Sequence, residues 1–256
     1  MSEFAGKVAV VTGGSAGIGE AVVAHLSAAG AAVVYCGVGA AVDSDRVVGR
    51  SLDVRSLPDM QALVSLAVSR FGGVDILVTS AGIQRYGTVE ETSPELWDEV
   101  LSVNLTGVFN ACQAALPELR RRAGTIVAVS SVQAFASQQR VAAYATSKAG
   151  VNALIKSIAL DYAADGVRAN VVCPGSVDTP MLRWAADLFK GSSTVEETIE
   201  EWGARHPLGR VAAPAEVAEV VAFLAGPRSS FVTGSEYRVD GGLLTVNPAA
   251  LPTSTL

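Results

Sequence analysis

A chain of 256 residues, half of them hydrophobic and 17% charged, is sized for one domain with a full core and suits a sheet buried on both faces. Its formal net charge of −6 argues against a nucleic-acid backbone as the main partner, and charges interrupt every apolar run before the ~18 residues of a membrane span. Three scattered cysteines (Cys36, Cys112, Cys173), two histidines (His25, His206) and a start without the basic region of a secretory signal make the expectation no metal site, no disulfides and a cytoplasmic setting.

Val8-Ala9-Val10-Val11 reads as a short β-branched strand ending in Thr12-Gly13-Gly14. A helix is predicted from Gly17 to Ala29, closed by Gly30, where positive φ is wanted. Ala32 to Cys36 and Val47 to Asp53 read as the second and third strands. Only about ten residues, Gly37 to Arg46, join them, so this link is expected to be a loop or one helical turn at most. Ser56 caps a helix that reaches Phe71, and Val74 to Thr79 is the fourth strand. Ser93-Pro94-Glu95 starts a helix that runs toward Arg122, broken or offset near Gly107. Then come a strand over Thr125–Ser130, an Ala-rich helix over Ala142–Ala164, a strand over Val167–Cys173, a helix opening at Pro214 and a last strand over Glu236–Val239. This alternation predicts an α/β, doubly wound, Rossmann-like parallel sheet of about seven strands in one domain over residues 1–256. Residues 181–207 read as an amphipathic lid, and 243–256 as an extended tail.

Two features carry chemistry. Tyr144 and Lys148 share a helix face at i and i+4, so an ammonium can lie beside a phenol. Moving a tyrosine from pKa about 10 to near neutrality takes ~4 kcal/mol of preferential phenolate stabilisation, and a partly desolvated cation supplies such an effect. The loop Thr12-Gly13-Gly14-Ser15-Ala16-Gly17-Ile18-Gly19 joins strand to helix, as a pyrophosphate cradle does, although its spacing departs from the usual dinucleotide fingerprint. The same residues satisfy Gly-x-Ser-x-Gly with Ser15 as a hydrolase nucleophile and His206 downstream. That rival lacks an earlier strand-loop to complete an oxyanion hole.

With these in place the chain resembles the short-chain dehydrogenase/reductase family from Lys7 to about Gly242. The resemblance implies NAD(P)-dependent hydride transfer between a cofactor and a secondary alcohol or ketone. It assigns catalysis to Ser131, thirteen residues before Tyr144, with Tyr144, Lys148 and the structural and proton-relay Asn104. It places Gly13, Ser15, Gly17, Ile18 and Gly19 on the cofactor's phosphates, and Asp53-Val54 at the adenine. Ala81 and Gly82 follow the fourth strand on the cofactor's path. Pro174, Gly175, Val177 and Thr179 fall in the loop that grips the nicotinamide, whose ribose would meet Tyr144 and Lys148. Val239-Asp240-Gly241-Gly242 resembles the C-terminal signature.

Two departures stand out. Thr79-Ser80-Ala81-Gly82 replaces the common Asn-Asn-Ala-Gly, and Gly37-Val38 stands where an acid or a basic residue often selects NAD or NADP. Without a phosphate partner the expectation leans to NAD, with Asp43, Asp45 and Arg46 able to change it. Gln84-Arg85-Tyr86, Gln133–Gln139 and Met181–His206 are the expected pocket wall, whose amides and Arg85 hint at a sugar or polyol. The alternatives are a 3-oxoacyl thioester (acyl-carrier-protein) reductase and a non-catalytic cofactor-binding scaffold or sensor. The resemblance further implies a homotetramer, with the tail packed on a partner subunit.

Overall fold

The computed structural model of the chain describes residues 2–246. Its strands are β1 (Val8–Thr12), β2 (Ala32–Cys36), β3 (Val47–Arg50), β4 (Ile76–Thr79), β5 (Thr125–Val129), β6 (Arg168–Pro174) and β7 (Glu236–Val239). Its helices are α1 (Gly17–Ala28), α2 (Leu57–Phe71), α3 (Pro94–Leu101), α4 (Gly107–Arg122), α5 (Ala142–Asp161), α6 (Pro180–Phe189), α7 (Val195–Ala204) and α8 (Pro214–Ala225). The strands form one parallel sheet in the order β3-β2-β1-β4-β5-β6-β7, the doubly wound arrangement expected.

Alternation along the strands builds two cores. Val8 and Val10 point to the face holding Leu63, Leu119 and Ile155 from α2, α4 and α5. Ala9 and Val11 point to the face holding Leu26, Val221 and Leu224 from α1 and α8. The helices start where the sequence provides caps: Ser56 accepts from the Asp59 N–H and Ser93 from the Leu96 N–H.

Pairing trims several predicted strands. β3 stops at Arg50 rather than Asp53, because its partner β2 ends at Cys36, opposite Arg50. β4 begins at Ile76, the first residue with a partner on β1. The link between β2 and β3 holds no helix, as its length requires. The offset near Gly107 is a π-helical turn over Ser102–Thr106, which joins α3 to α4 and buries Asn104 completely. Residues 181–207, expected as a lid, fold into most of α6 and all of α7, helices capped by Thr179 and Thr194. The tail from residue 247 lies outside the described residues.

Candidate active site

Strand order reverses between β1 and β4, and there the carboxyl ends of the strands open onto a cavity of about 1460 Å³. Gly13 takes φ +71°, and a Cβ on it would lie 2.6 Å from the Ala81 nitrogen. A Cβ on Gly19 would collide with the Gly13 carbonyl, so no side chain can enter the turn without parting strand from helix. Ala16 is the N-cap of α1 and offers no acceptor, which leaves first-turn N–H donors to an anion. Small residues, bare backbone and those donors fit the pyrophosphate of a dinucleotide.

Farther along the cavity, Asp53 accepts from Arg55 through Nη2 at 2.6 Å, Nε at 2.9 Å and the backbone N–H at 2.9 Å. That guanidinium holds the Asp53 carboxyl below the usual carboxylate range. Beside it, the Ser15 hydroxyl fills the space a Cβ at Gly37 would need, and Val38 faces solvent. Arg46 is turned to the Gly30 carbonyl, at the opposite end of β3. Arg50 is held by Asp43 at 2.7 Å and by the carbonyls of Gly49 at 2.9 Å and Val42 at 3.2 Å.

At the other end Ser131, Tyr144 and Lys148 share the wall. The Ser130 hydroxyl donates to the Lys148 carbonyl at 3.0 Å, which pins α5 to the end of β5. Lys148 Nζ donates to the Val129 carbonyl at 3.0 Å and lies 5.6 Å from the Tyr144 ring centroid. Both side chains are buried. Burial pushes the Tyr144 phenol up to about 12; the adjacent Ser131 hydroxyl pulls it down and Tyr86 adds a small upward push. Burial pushes Lys148 down to about 8. The shift runs opposite to the one expected: desolvation raises the phenol, while the hydrogen bond of the Lys148 ammonium goes to Val129.

Of the residues assigned to catalysis and to the cofactor, Asn104 and Gly19 stand behind the wall and the rest line it. The Asn104 Oδ1 accepts from the Ile83 N–H at 2.8 Å, while its Nδ2 donates to the Ile83 carbonyl at 2.9 Å and to Ser147 Oγ at 3.1 Å. It thus ties the segment after β4 to α5, one residue from Lys148. Sequence reasoning missed Ser147, whose only signal is its place beside Lys148. It also missed Arg55, two residues after the aspartate it clamps.

The outer wall carries Gln84, Gln133, Gln138, Gln139, Tyr86 and Phe189. Among the described residues, Gln133 Oε1 is buried without a hydrogen-bond partner. The Tyr86 ring stacks on Trp184 with centroids 5.9 Å apart and meets Phe189 edge-on at 4.6 Å. Arg85 is absent from the wall; it pairs with Glu99 at 2.7 Å and 3.2 Å, so it leaves the list of substrate contacts. The hydrolase rival also fails on geometry, because both His206 ring nitrogens are engaged, with Ser176 N and the Trp202 carbonyl, and neither serves Ser15.

Residues 13–244 match a family model described as "Enoyl-(Acyl carrier protein) reductase". The chain is 39% identical over 255 residues to the L-fucose dehydrogenase of Mus musculus, covering 94% of this chain and 90% of that protein. It superposes on the ligand-free aldohexose dehydrogenase of Thermoplasma acidophilum with a TM-score of 0.93 and 39% identity, covering 98% of this chain and 99% of the other. An actinorhodin polyketide ketoreductase variant solved with NADPH gives a TM-score of 0.86 at 36% identity, covering 93% of this chain and 97% of that one.

Proposed function

Since this chain belongs to the short-chain dehydrogenase/reductase family, and is therefore a nicotinamide-dependent oxidoreductase of secondary alcohols and ketones, we propose that Tyr144 is its acid/base. One observation carries this assignment: Tyr144, Ser131 and Lys148 share a wall of the cavity that the glycine loop closes at its other end. The nicotinamide, when bound, supplies the carbon that gives or takes the hydride. Tyr144 donates its phenolic proton to the ketone oxygen in reduction and takes it back in oxidation. Ser131 holds the same oxygen by a hydrogen bond and stabilises the charge that develops on it. Lys148 supplies the cation that makes a phenolate attainable and a donor toward the nicotinamide ribose. Asn104, fixed to Ile83 and Ser147, sets this face of α5 and the solvent end of the proton path.

The preferred cofactor is NAD. No cation is available to a 2′-phosphate at Gly37 or Val38, and Arg50 is already engaged by Asp43. Asp53 and Val54 hold the adenine end, and Val177 and Thr179 the nicotinamide. The substrate is a sugar or related polyol. The unpaired Gln133 acceptor suits a hydroxyl donor, and the Tyr86–Trp184–Phe189 cluster suits the C–H face of a ring. The names of the L-fucose and aldohexose dehydrogenase relatives agree with this class. An acyl-carrier-protein thioester is the second reading, drawn from the family model's description and the ketoreductase neighbour. The exposed Glu196, Glu197, Glu200 and Glu201 of α7 would repel an acidic carrier at the rim.

Residues 2–246 act as one domain with α6 and α7 as its lid. Phe109 of α4 and Leu160 of α5, both solvent-exposed in the single chain, support assembly into a homotetramer through these helices. Three buried free cysteines fit a reducing, cytoplasmic setting. The test is a panel of aldoses, polyols and β-keto thioesters with both cofactors, followed at the reduced-nicotinamide absorbance. The highest kcat/KM is expected for a hydroxylated ring with NAD; a maximum for a β-keto thioester with NADPH would replace this reading with the second.

A further inference from the structure

His206 takes no part in the proton transfer, yet it is buried and both ring nitrogens are engaged. Nδ1 lies 3.1 Å from the Trp202 carbonyl, which can only accept, so Nδ1 carries the proton. Nε2 lies 3.2 Å from the Ser176 N–H, which can only donate, so Nε2 is bare. The approach depends on Gly175, where a Cβ would stand 2.9 Å from Nε2. Beyond the ring the chain stays on the same loop: the Ala212 N–H donates to the Ser176 carbonyl at 2.9 Å, and the Asp178 N–H to the Ala212 carbonyl at 2.9 Å. At its other end the lid starts from that loop too, with Thr179 accepting from the Leu182 N–H at 3.3 Å to cap α6. Both ends of the lid are therefore fastened to residues 175–179.

We propose that His206 is a positioning residue whose neutral ring fastens the end of α7 to the backbone of the cofactor loop and so holds Val177 and Thr179 in place for the nicotinamide. This rests on the reading that residues 174–179 hold that cofactor. Kinetics of three variants test both. His206→Leu fills the space without either hydrogen bond and should raise the cofactor KM about tenfold, with a much smaller change in kcat at saturation. His206→Gln retains an acceptor for Ser176 and should recover most of the loss. A wild-type cofactor KM in His206→Leu, or equal impairment of the Leu and Gln variants, overturns the proposal.

Thr179→Val separates the two ideas. If it raises the cofactor KM while His206→Leu does not, the loop reading stands and the role of His206 falls. If it leaves the cofactor KM unchanged, the loop reading itself fails. Should the His206 variants not fold, nitrogen NMR of the wild-type protein still decides, since the chain has two histidines. The expected signature is one buried imidazole protonated at Nδ1 and bare at Nε2, with the Nε2 signal shifting when NAD is added. A proton on Nε2 overturns the proposal.

Discussion

Lys148 Nζ lies 5.6 Å from the Tyr144 ring centroid while its hydrogen bond goes to the Val129 carbonyl. Burial dominates, and the phenol keeps its proton. A protonated phenol suits the proposed role of Tyr144 as the acid toward a ketone oxygen. Lys148, pushed down to about 8, loses its charge within an accessible range. The kcat/KM for ketone reduction should be level below about pH 7 and fall as pH rises through 8. A profile level to pH 10 would remove the charged Lys148 from the mechanism.

The same burial has a stability consequence. Lys148 is shifted down from 10.5 to about 8, so between those values the folded state binds fewer protons than the unfolded state and gains stability as pH rises. The cost of the buried ammonium is complete below pH 8 and amounts to ~3 kcal/mol. Lys148→Met removes it but leaves the Val129 carbonyl without its donor, for a net gain of about 2 kcal/mol. Thermal melting at pH 7 should rise by several degrees as turnover is lost, and the gain should shrink toward pH 10.5. A lowered Tm at pH 7 would show that Lys148 stabilises the fold.

Asp43 restrains the one arginine at the carboxyl end of β3. It holds Arg50 at 2.7 Å and Arg70 at 3.1 Å. Asp43→Asn should release the Arg50 guanidinium toward the ribose side and raise kcat/KM for NADP relative to NAD by about tenfold, the value of one charge-assisted contact. Paired kinetics with both cofactors check this, and an unchanged ratio means that Arg50 does not reach the 2′-position.

Gln133 bears on substrate choice. Replacing it by Leu removes an acceptor that has no partner among the described residues, so the fold should tolerate the change. The kcat/KM for a sugar should fall about tenfold, while that for a simple cyclic ketone without further hydroxyls should be preserved. Equal losses on both substrates would assign Gln133 to scaffolding.

The alternation of strands with helices and the residues at the strand ends were legible because hydrophobic runs, caps and glycines are local signals. Gly13 and Tyr144 could be placed from short patterns, since each sits at the junction of one strand or one helix. What escaped depends on contacts between distant segments. Asn104 turned onto Ile83 and Ser147, and His206 seated against Ser176, leave no periodicity to read. The upward shift of the Tyr144 phenol has the same origin. Spacing of i and i+4 shows that two side chains are neighbours, but not that the ammonium bonds elsewhere or how dry the site is.

The assignment of Tyr144 as acid/base is tested most directly by Tyr144→Phe, measured for steady-state turnover and, by calorimetry, for NAD affinity. The expected result is a loss of at least a hundredfold in kcat, with NAD binding close to wild type. Retention of more than a few per cent of wild-type turnover would contradict it and move the proton transfer to another group on this wall.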